Sequence, residues 1–288
     1  MAVYTILTKH DIQDTLSAYN LGELLRFEPI SSGIENTNYF VWTVPENATT
    51  SLPTEWVLTI FENLSSADIP FYNQLTTYLK ERGFCVPAPA VMRDGSDIFS
   101  ITSEGKQKYG VIVPKFNGAA LEEPEMQDCY VMGEYLANMH TALTDYPSEK
   151  KIERSVEWCR ELVKQLTPFV PDDDHAVLNL ALSRYVDYKD MLNTCSLGIV
   201  HGDLFRDNVL FEKGRVSGVI DFYHAGKTVQ LFDLAVVAND WAVNAHYLPS
   251  AFSDEQGRHE QVSDVSLIYN EQKLSSLLAG YQCAKPFL

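Results

Sequence analysis

Apolar residues in the first hundred or so positions alternate in short runs separated by turn signals. Tyr39 to Val44 (YFVWTV), Trp56 to Phe61 (WVLTIF), Asp97 to Ile101 (DIFSI) and Tyr109 to Val113 (YGVIV) carry the β-branched and aromatic content of strands, and Asp94-Gly95 marks a tight turn. The pattern predicts an antiparallel sheet. One helix interrupts it: Phe71, Leu75, Tyr78 and Leu79 recur at helical spacing, Pro70 suits a first-turn position, and Gly83 supplies a stop.

Beyond Gly118 the period changes to 3.6. Val131, Tyr135, Leu136 and Met139 share one helix face, followed by helical stretches over Val156 to Leu166 and Ala176 to Leu192. Inside this part, NVLFE and VSGVIDF flank Lys213-Gly214 and predict a hairpin. Tyr269, Leu274, Leu277 and Leu278 begin a last helical segment. The fold class expected is α+β with two lobes, a strand-rich one over 1–113 and a helical one over 114–288, hinged near Pro114 to Gly118.

Composition narrows the function classes. At 288 residues, 45% hydrophobic and 21% charged, the chain is long and apolar enough for a sizeable core. A net charge of −17 opposes binding to a polyphosphate backbone, so nucleic acid is not an expected partner. Five scattered cysteines, none spaced C-x-x-C, suggest neither a disulfide framework nor a zinc knuckle, and point to a reducing cytoplasm. The first residues lack an export signal and no long apolar window predicts a membrane span.

The chemistry is concentrated in IVHGDLFRDNVLFEKGRVSGVIDF, residues 199–222. His201, Asp203 and Asn208 form H-x-D-x-x-x-x-N, and Asp221 ends the second hairpin strand. This spacing resembles the catalytic loop and metal aspartate of kinases. Phosphoryl transfer needs a carboxylate to take the proton of the attacking hydroxyl, a role that suits Asp203. It also needs hard oxygen ligands for Mg²⁺ beside the triphosphate of ATP, a role that suits Asn208 and Asp221. A purely structural reading has Asp203 capping a turn, Asn208 in an Asx-turn and Asp221 at a solvated strand end.

Gly202 after His201 resembles the aminoglycoside-phosphotransferase-like superfamily, a protein-kinase-like fold. So do GEYLANMH, residues 133–140, and Phe232-Asp-Leu-Ala235. Within it, GIENTNYF (Gly33 to Phe40), HGDLFRDNVLF (His201 to Phe211) and NDW (Asn239 to Trp241) are similar to homoserine kinases. The resemblance covers nearly the whole chain. It implies transfer of the ATP γ-phosphate to L-homoserine in threonine biosynthesis. It also implies a nucleotide-binding amino-terminal lobe and a helical lobe holding the catalytic loop and acceptor pocket. The residues themselves leave other acceptors open, among them choline, ethanolamine, methylthioribose and an aminoglycoside, as well as a nucleotide-binding regulator without turnover.

Further site residues follow. Ser32, Gly33 and Ile34 lie where backbone N–H groups would cradle phosphate, and Val111 to Lys115, with Val113 and Lys115 named for the nucleotide, where backbone would meet adenine. The strand WVLTIFE departs from kinases by placing Thr59 where a phosphate-binding lysine is usual, which makes Arg206 the nearest candidate cation, catalytic in that sense. Arg206 can equally pair with Asp207 or Glu212. For the amino-acid substrate, Glu35, Asn36, Asn38, Tyr223 and Asp240 are candidates, with Asp240 or Glu35 at the ammonium and Arg206 at the carboxylate; Trp241 and His224 flank them. His201 and His140 are read as structural. Beside the resembling family the chain looks short by a helix or so and ends in apolar Phe287 and Leu288, which predicts low stability or self-association.

Overall fold

Nine residues near the start form a helix for local reasons. In α1 (Lys9–Ser17), the Thr8 hydroxyl accepts the Asp11 N–H while the Asp11 carboxylate accepts the Thr8 N–H, a reciprocal cap, and Ile12 and Leu16 face inward. This computed structural model describes residues 4–31, 33, 35–45, 52–253 and 259–285, with backbone alone for 244–253 and 259–267. The chain divides into two compact units, the first formed by 1–118 with Ser217–Ile220, the second by 119–216 with the residues from Asp221 onward.

The first unit is a curled antiparallel sheet. Its strands are β1 (Glu23–Pro29), β2 (Asn36–Val44) and β3 (Thr54–Phe61), then, after α2 (Ile69–Glu81), β4 (Phe99–Ser103) and β5 (Lys106–Pro114), in the spatial order β1-β2-β3-β5-β4. Tyr39 stands opposite Leu58 and Leu58 opposite Ile112, so the period-2 alternation puts all three on one face. There they join Val41, Ile60 and Phe99 against Leu7, Ile12 and Leu16 in one apolar cluster. Three expected strands, β2, β3 and β5, extend further than predicted, β4 lies two residues later than predicted, and α2 starts beside Pro70 and stops before Gly83, whose φ of +87° suits glycine. β1 and α1 are additions to the expected elements. ELLRFEP does not alternate, because an exposed edge strand need not, and KHDIQDTLS is short and mostly polar.

A polar knot ties the chain start to this sheet. One Glu62 oxygen accepts the hydroxyls of Thr5 (2.8 Å) and Thr37 (2.6 Å), the other accepts Lys108, and Lys108 also donates to Thr5. Burial alone would raise the Glu62 pKa, but the hydrogen bonds of Lys108, Thr37 and Thr5 outweigh it and hold the carboxyl below its ordinary value.

The second unit begins with α3 (Met126–Ala142), α4 (Val156–Leu166), α5 (Asp172–Asp187) and α6 (Lys189–Leu192). It continues through β6 (Leu197–Val200), β7 (Val209–Glu212), β8 (Arg215–Val219, whose later residues group with the first unit), β9 (Gly226–Val229) and α7 (Leu231–Trp241). A pair of strands, β10 (Val243–Ser253) and β11 (His259–Tyr269), precedes α8 (Glu271–Ala284). β6 pairs with β9 and β7 with β8. Lys213 and Gly214 both take positive φ, as a two-residue hairpin of the expected kind requires. The β10–β11 pair was not expected from the sequence, while Phe287 and Leu288 lie outside the described residues.

α3 and α8 cross with almost nothing between them. A Cβ at Gly133 would sit 2.1 Å from the Leu277 carbonyl oxygen, and one at Gly280 would sit 2.0 Å from that of Tyr130. Both obstacles are helix backbone, which moves only with its helix. Gly133→Ala is therefore expected to cost about 1–3 kcal/mol through overpacking. Thermal denaturation checks it; a variant that melts with the wild type would show that the helices separate freely.

Candidate active site

The short strand β6 feeds the loop over residues 201–208, and one buried carboxylate shapes it. Asp233, in the first turns of α7, has no solvent exposure. It accepts the backbone N–H of His201 (2.8 Å) and of Gly202 (2.8 Å), and its Oδ2 lies 3.1 Å from His140 Nε2. An ionised carboxylate only accepts, so His140 presents N–H at Nε2 and accepts at Nδ1, which lies 2.9 Å from the Tyr281 hydroxyl. Burial, helped by the charge of Asp233, pushes the Tyr281 phenol up to about 12, so it keeps the proton it donates. Burial would raise the Asp233 pKa, but the hydrogen bonds from His140 and from the Gly202 N–H outweigh it and hold the carboxyl below its ordinary value. Loop, α3, α7 and α8 thus meet at one group.

Gly202 makes that meeting possible. Its φ is +85°, and a Cβ there would approach the His224 carbonyl oxygen to 2.6 Å. His201 is buried, its Nδ1 accepts the Asp203 N–H at 3.2 Å, and its ring packs 4.4 Å from that of Phe222.

Asp203 and Asn208 are brought together by the loop. The Asn208 amide nitrogen donates to the Asp203 carbonyl oxygen (2.8 Å) and to its Oδ2 (3.1 Å). With both N–H bonds directed at Asp203, the remaining polar atom of Asn208 is an oxygen. Asp221 takes a left-handed backbone, φ 63° and ψ 58°, directly after the β7–β8 hairpin. Such a conformation is strained for a residue with a Cβ and concentrates at functional positions. Among the described residues no three His, Cys, Asp or Glu side chains gather around a common point. One amide oxygen and one carboxylate are instead the partial oxygen shell that a hard divalent cation completes with phosphate and water, so these residues fit such an ion.

Arg206 and Asp240, expected at the carboxylate and ammonium of a substrate, are bound to one another. Asp240 Oδ2 accepts the Arg206 backbone N–H (2.7 Å) and its Nε (3.1 Å), and Arg206 Nη1 donates to the Glu122 carbonyl oxygen. The partner is thus Asp240 and not Asp207 or Glu212, because α7 lies beside the loop. Tyr223 is half-buried in the turn Phe222–His224; desolvation and the charge of Asp221 raise its hydroxyl pKa. Trp241 is fully buried and packs on Phe211, a core position.

In the first unit, Gly33 sits exposed between β1 and β2 with φ +94°; Ser32 and Ile34 lie outside the described residues. Glu35 and Asn36 stand half-buried where β2 begins. Thr59, at the position of the usual lysine, donates its hydroxyl to Asn38 Oδ1 at 2.7 Å across the β2–β3 ladder. Val113 is buried opposite Val57, and the Lys115 N–H goes to the Glu55 carbonyl oxygen while its ammonium pairs with the Glu55 carboxylate.

Residues 26–260 match the model of the phosphotransferase enzyme family. The chain belongs to that family. Relatives from Cupriavidus necator (38% identical, 85% of this chain and 73% of that protein) and Burkholderia pseudomallei (35%, 100% and 80%) are homoserine kinases. Among solved structures, an amicoumacin kinase in complex with AMP-PNP, Ca²⁺ and Ami superposes with a TM-score of 0.66 at 18% identity over 96% of this chain and 78% of that one. A microcompartment-associated aminopropanol kinase gives 0.56 at 14% identity over 98% and 82%. These likenesses show the shared bilobal α+β fold. No helix among the described residues is long and apolar enough to cross a membrane.

Sequence reasoning missed the hub role of Asp233 and the partnership of Tyr281. The phrase FDLA marked the first, and nothing local marked the second. Because the folded pKa of Asp233 is depressed, its stabilisation is full above the unfolded value of about 3.9 and is lost as pH falls through the folded one. Asp233→Asn is expected to lower stability at pH 7 by about 1.5–3 kcal/mol. Its melting temperature should also fall less steeply than that of the wild type on acidification below about pH 4. Parallel acid profiles would remove the carboxylate from this role.

Proposed function

We propose that this chain is a homoserine kinase: it transfers the γ-phosphoryl group of ATP to the hydroxyl of L-homoserine, giving O-phospho-L-homoserine for threonine biosynthesis. The observation that carries this is the 35–38% identity to homoserine kinases along most of the chain, with the Asp203, Asn208 and Asp221 set intact.

Asp203 accepts the proton of the attacking hydroxyl and orients its oxygen for in-line attack. Asn208 and Asp221 would hold Mg²⁺, which when bound neutralises charge on the phosphate oxygens. The loop around Gly33 serves the phosphates through backbone N–H groups, and the backbone near Val113 and Lys115 serves the base. Glu35, Asn36, Asn38 and Tyr223 carry the acceptors and donors an amino-acid zwitterion requires. His201 takes no part in proton transfer on this reading, since its Nδ1 is spent on the Asp203 N–H. A cytoplasmic location accords with ATP as donor and with five free cysteines.

Coupled ADP release with Mg-ATP against L-homoserine, D-homoserine, L-serine, choline, ethanolamine and kanamycin tests the proposal. Turnover is expected on L-homoserine and should fall about 10²- to 10⁴-fold in Asp203→Asn. Turnover on another acceptor in its place would overturn the substrate, and nucleotide binding without turnover on any would overturn the reaction.

A further inference from the structure

Asp233 and Asp240 belong to one helix, α7, and stand seven residues apart. That is two turns, so both carboxylates occupy the same face at a separation of about 10 Å along the axis. Each accepts backbone N–H groups of the catalytic loop: Asp233 those of His201 and Gly202 at its start, Asp240 that of Arg206 near its end. Asp203 lies between the two holds. Asn208 lies in the same single turn as Arg206, and its amide holds Asp203.

We propose that Asp240 is a positioning residue for phosphoryl transfer, the second anchor of a splint formed by α7 that fixes the length and shape of the loop carrying Asp203 and Asn208. Arg206 completes the anchor. Its Nε shares the Oδ2 that takes its own N–H, which neutralises the carboxylate, and its Nη1 reaches the Glu122 carbonyl oxygen ahead of α3. The next residue, Trp241, has no solvent exposure, so the end of α7 is itself fixed in the core. The splint is rigid where the loop is irregular. A helix resists stretching through its hydrogen-bond ladder, whereas residues 201–208 contain only one short turn.

This inference rests on the proposed transfer reaction, and it separates from a substrate role for Asp240 by the constant that changes. A group that binds the ammonium of homoserine governs its Michaelis constant; a group that places the base and the amide governs kcat. In Asp240→Ala, kcat is expected to fall about 10²-fold while the homoserine constant stays within about twofold. Asp240→Asn should recover part of the loss, because its amide oxygen still accepts the Arg206 N–H. Asp240→Ala and Asn208→Ala should be strongly non-additive, since both act through the same turn. A raised homoserine constant at unchanged kcat, or additive effects with Asn208→Ala, would overturn the proposal.

If Asp240→Ala does not fold, the same constants measured in Asp240→Asn and Arg206→Lys decide: kcat losses support the splint and rises confined to the homoserine constant overturn it. Wild-type turnover is measured first, and if another acceptor proves to be the substrate, its constant takes the place of homoserine's. If wild type turns over nothing, calorimetric binding of ATP with and without Mg²⁺ decides. Loss of the Mg²⁺-dependent part in both Asp240→Ala and Asn208→Ala supports the splint, and its retention in Asp240→Ala overturns it.

Discussion

Asp233 carries a carboxylate into a region without solvent, and a buried charge of that kind is tolerated only when its lone pairs are engaged. The engagement is what organises the second unit. Two of its partners are loop amides, a third is the His140 ring, and His140 in turn holds Tyr281 of the last helix. The loop therefore cannot shift without leaving a buried charge unsatisfied. The same penalty that makes the group expensive makes the geometry of the loop definite.

From that anchor the chemistry follows in steps. Gly202 allows the backbone to turn beside the His224 carbonyl, and His201 then aims Nδ1 at the Asp203 N–H. Asn208 folds back on Asp203 and is left with an oxygen to offer. Arg206, the most conspicuous cation of the loop, is spent on Asp240 and on a carbonyl, so its charge serves the scaffold. The strained backbone of Asp221 is the local cost of bringing the chain out of the hairpin at that point.

The first unit solves a different problem. Its sheet buries one face under α1, and the knot at Glu62 fastens the segment that leads into that helix. A lysine is absent from the third strand, where Thr59 and Asn38 form a neutral pair instead. With a net charge of −17, the chain carries fewer cations than carboxylates.

Most elements were legible because their reasons are local: alternation in β2, β3 and β5, the proline and glycine that bound α2, the glycine turn between β7 and β8, and the 3.6 period of α3 and α4. α1, β1, β6, β9, α7 and the β10–β11 pair were not; α1 is short and mostly polar and β1 is an exposed edge, and neither carries a clear period. The residue types and spacing of Asp203, Asn208 and Asp221 were legible because all three stand within one short stretch that resembles a kinase loop. Which partner each side chain takes was decided only by tertiary structure. Asp240 meets Arg206 from 34 residues away, and Asp233 meets His140 from 93. Separations of that size are set by how helices pack, and the spacing of letters in one chain holds no record of them.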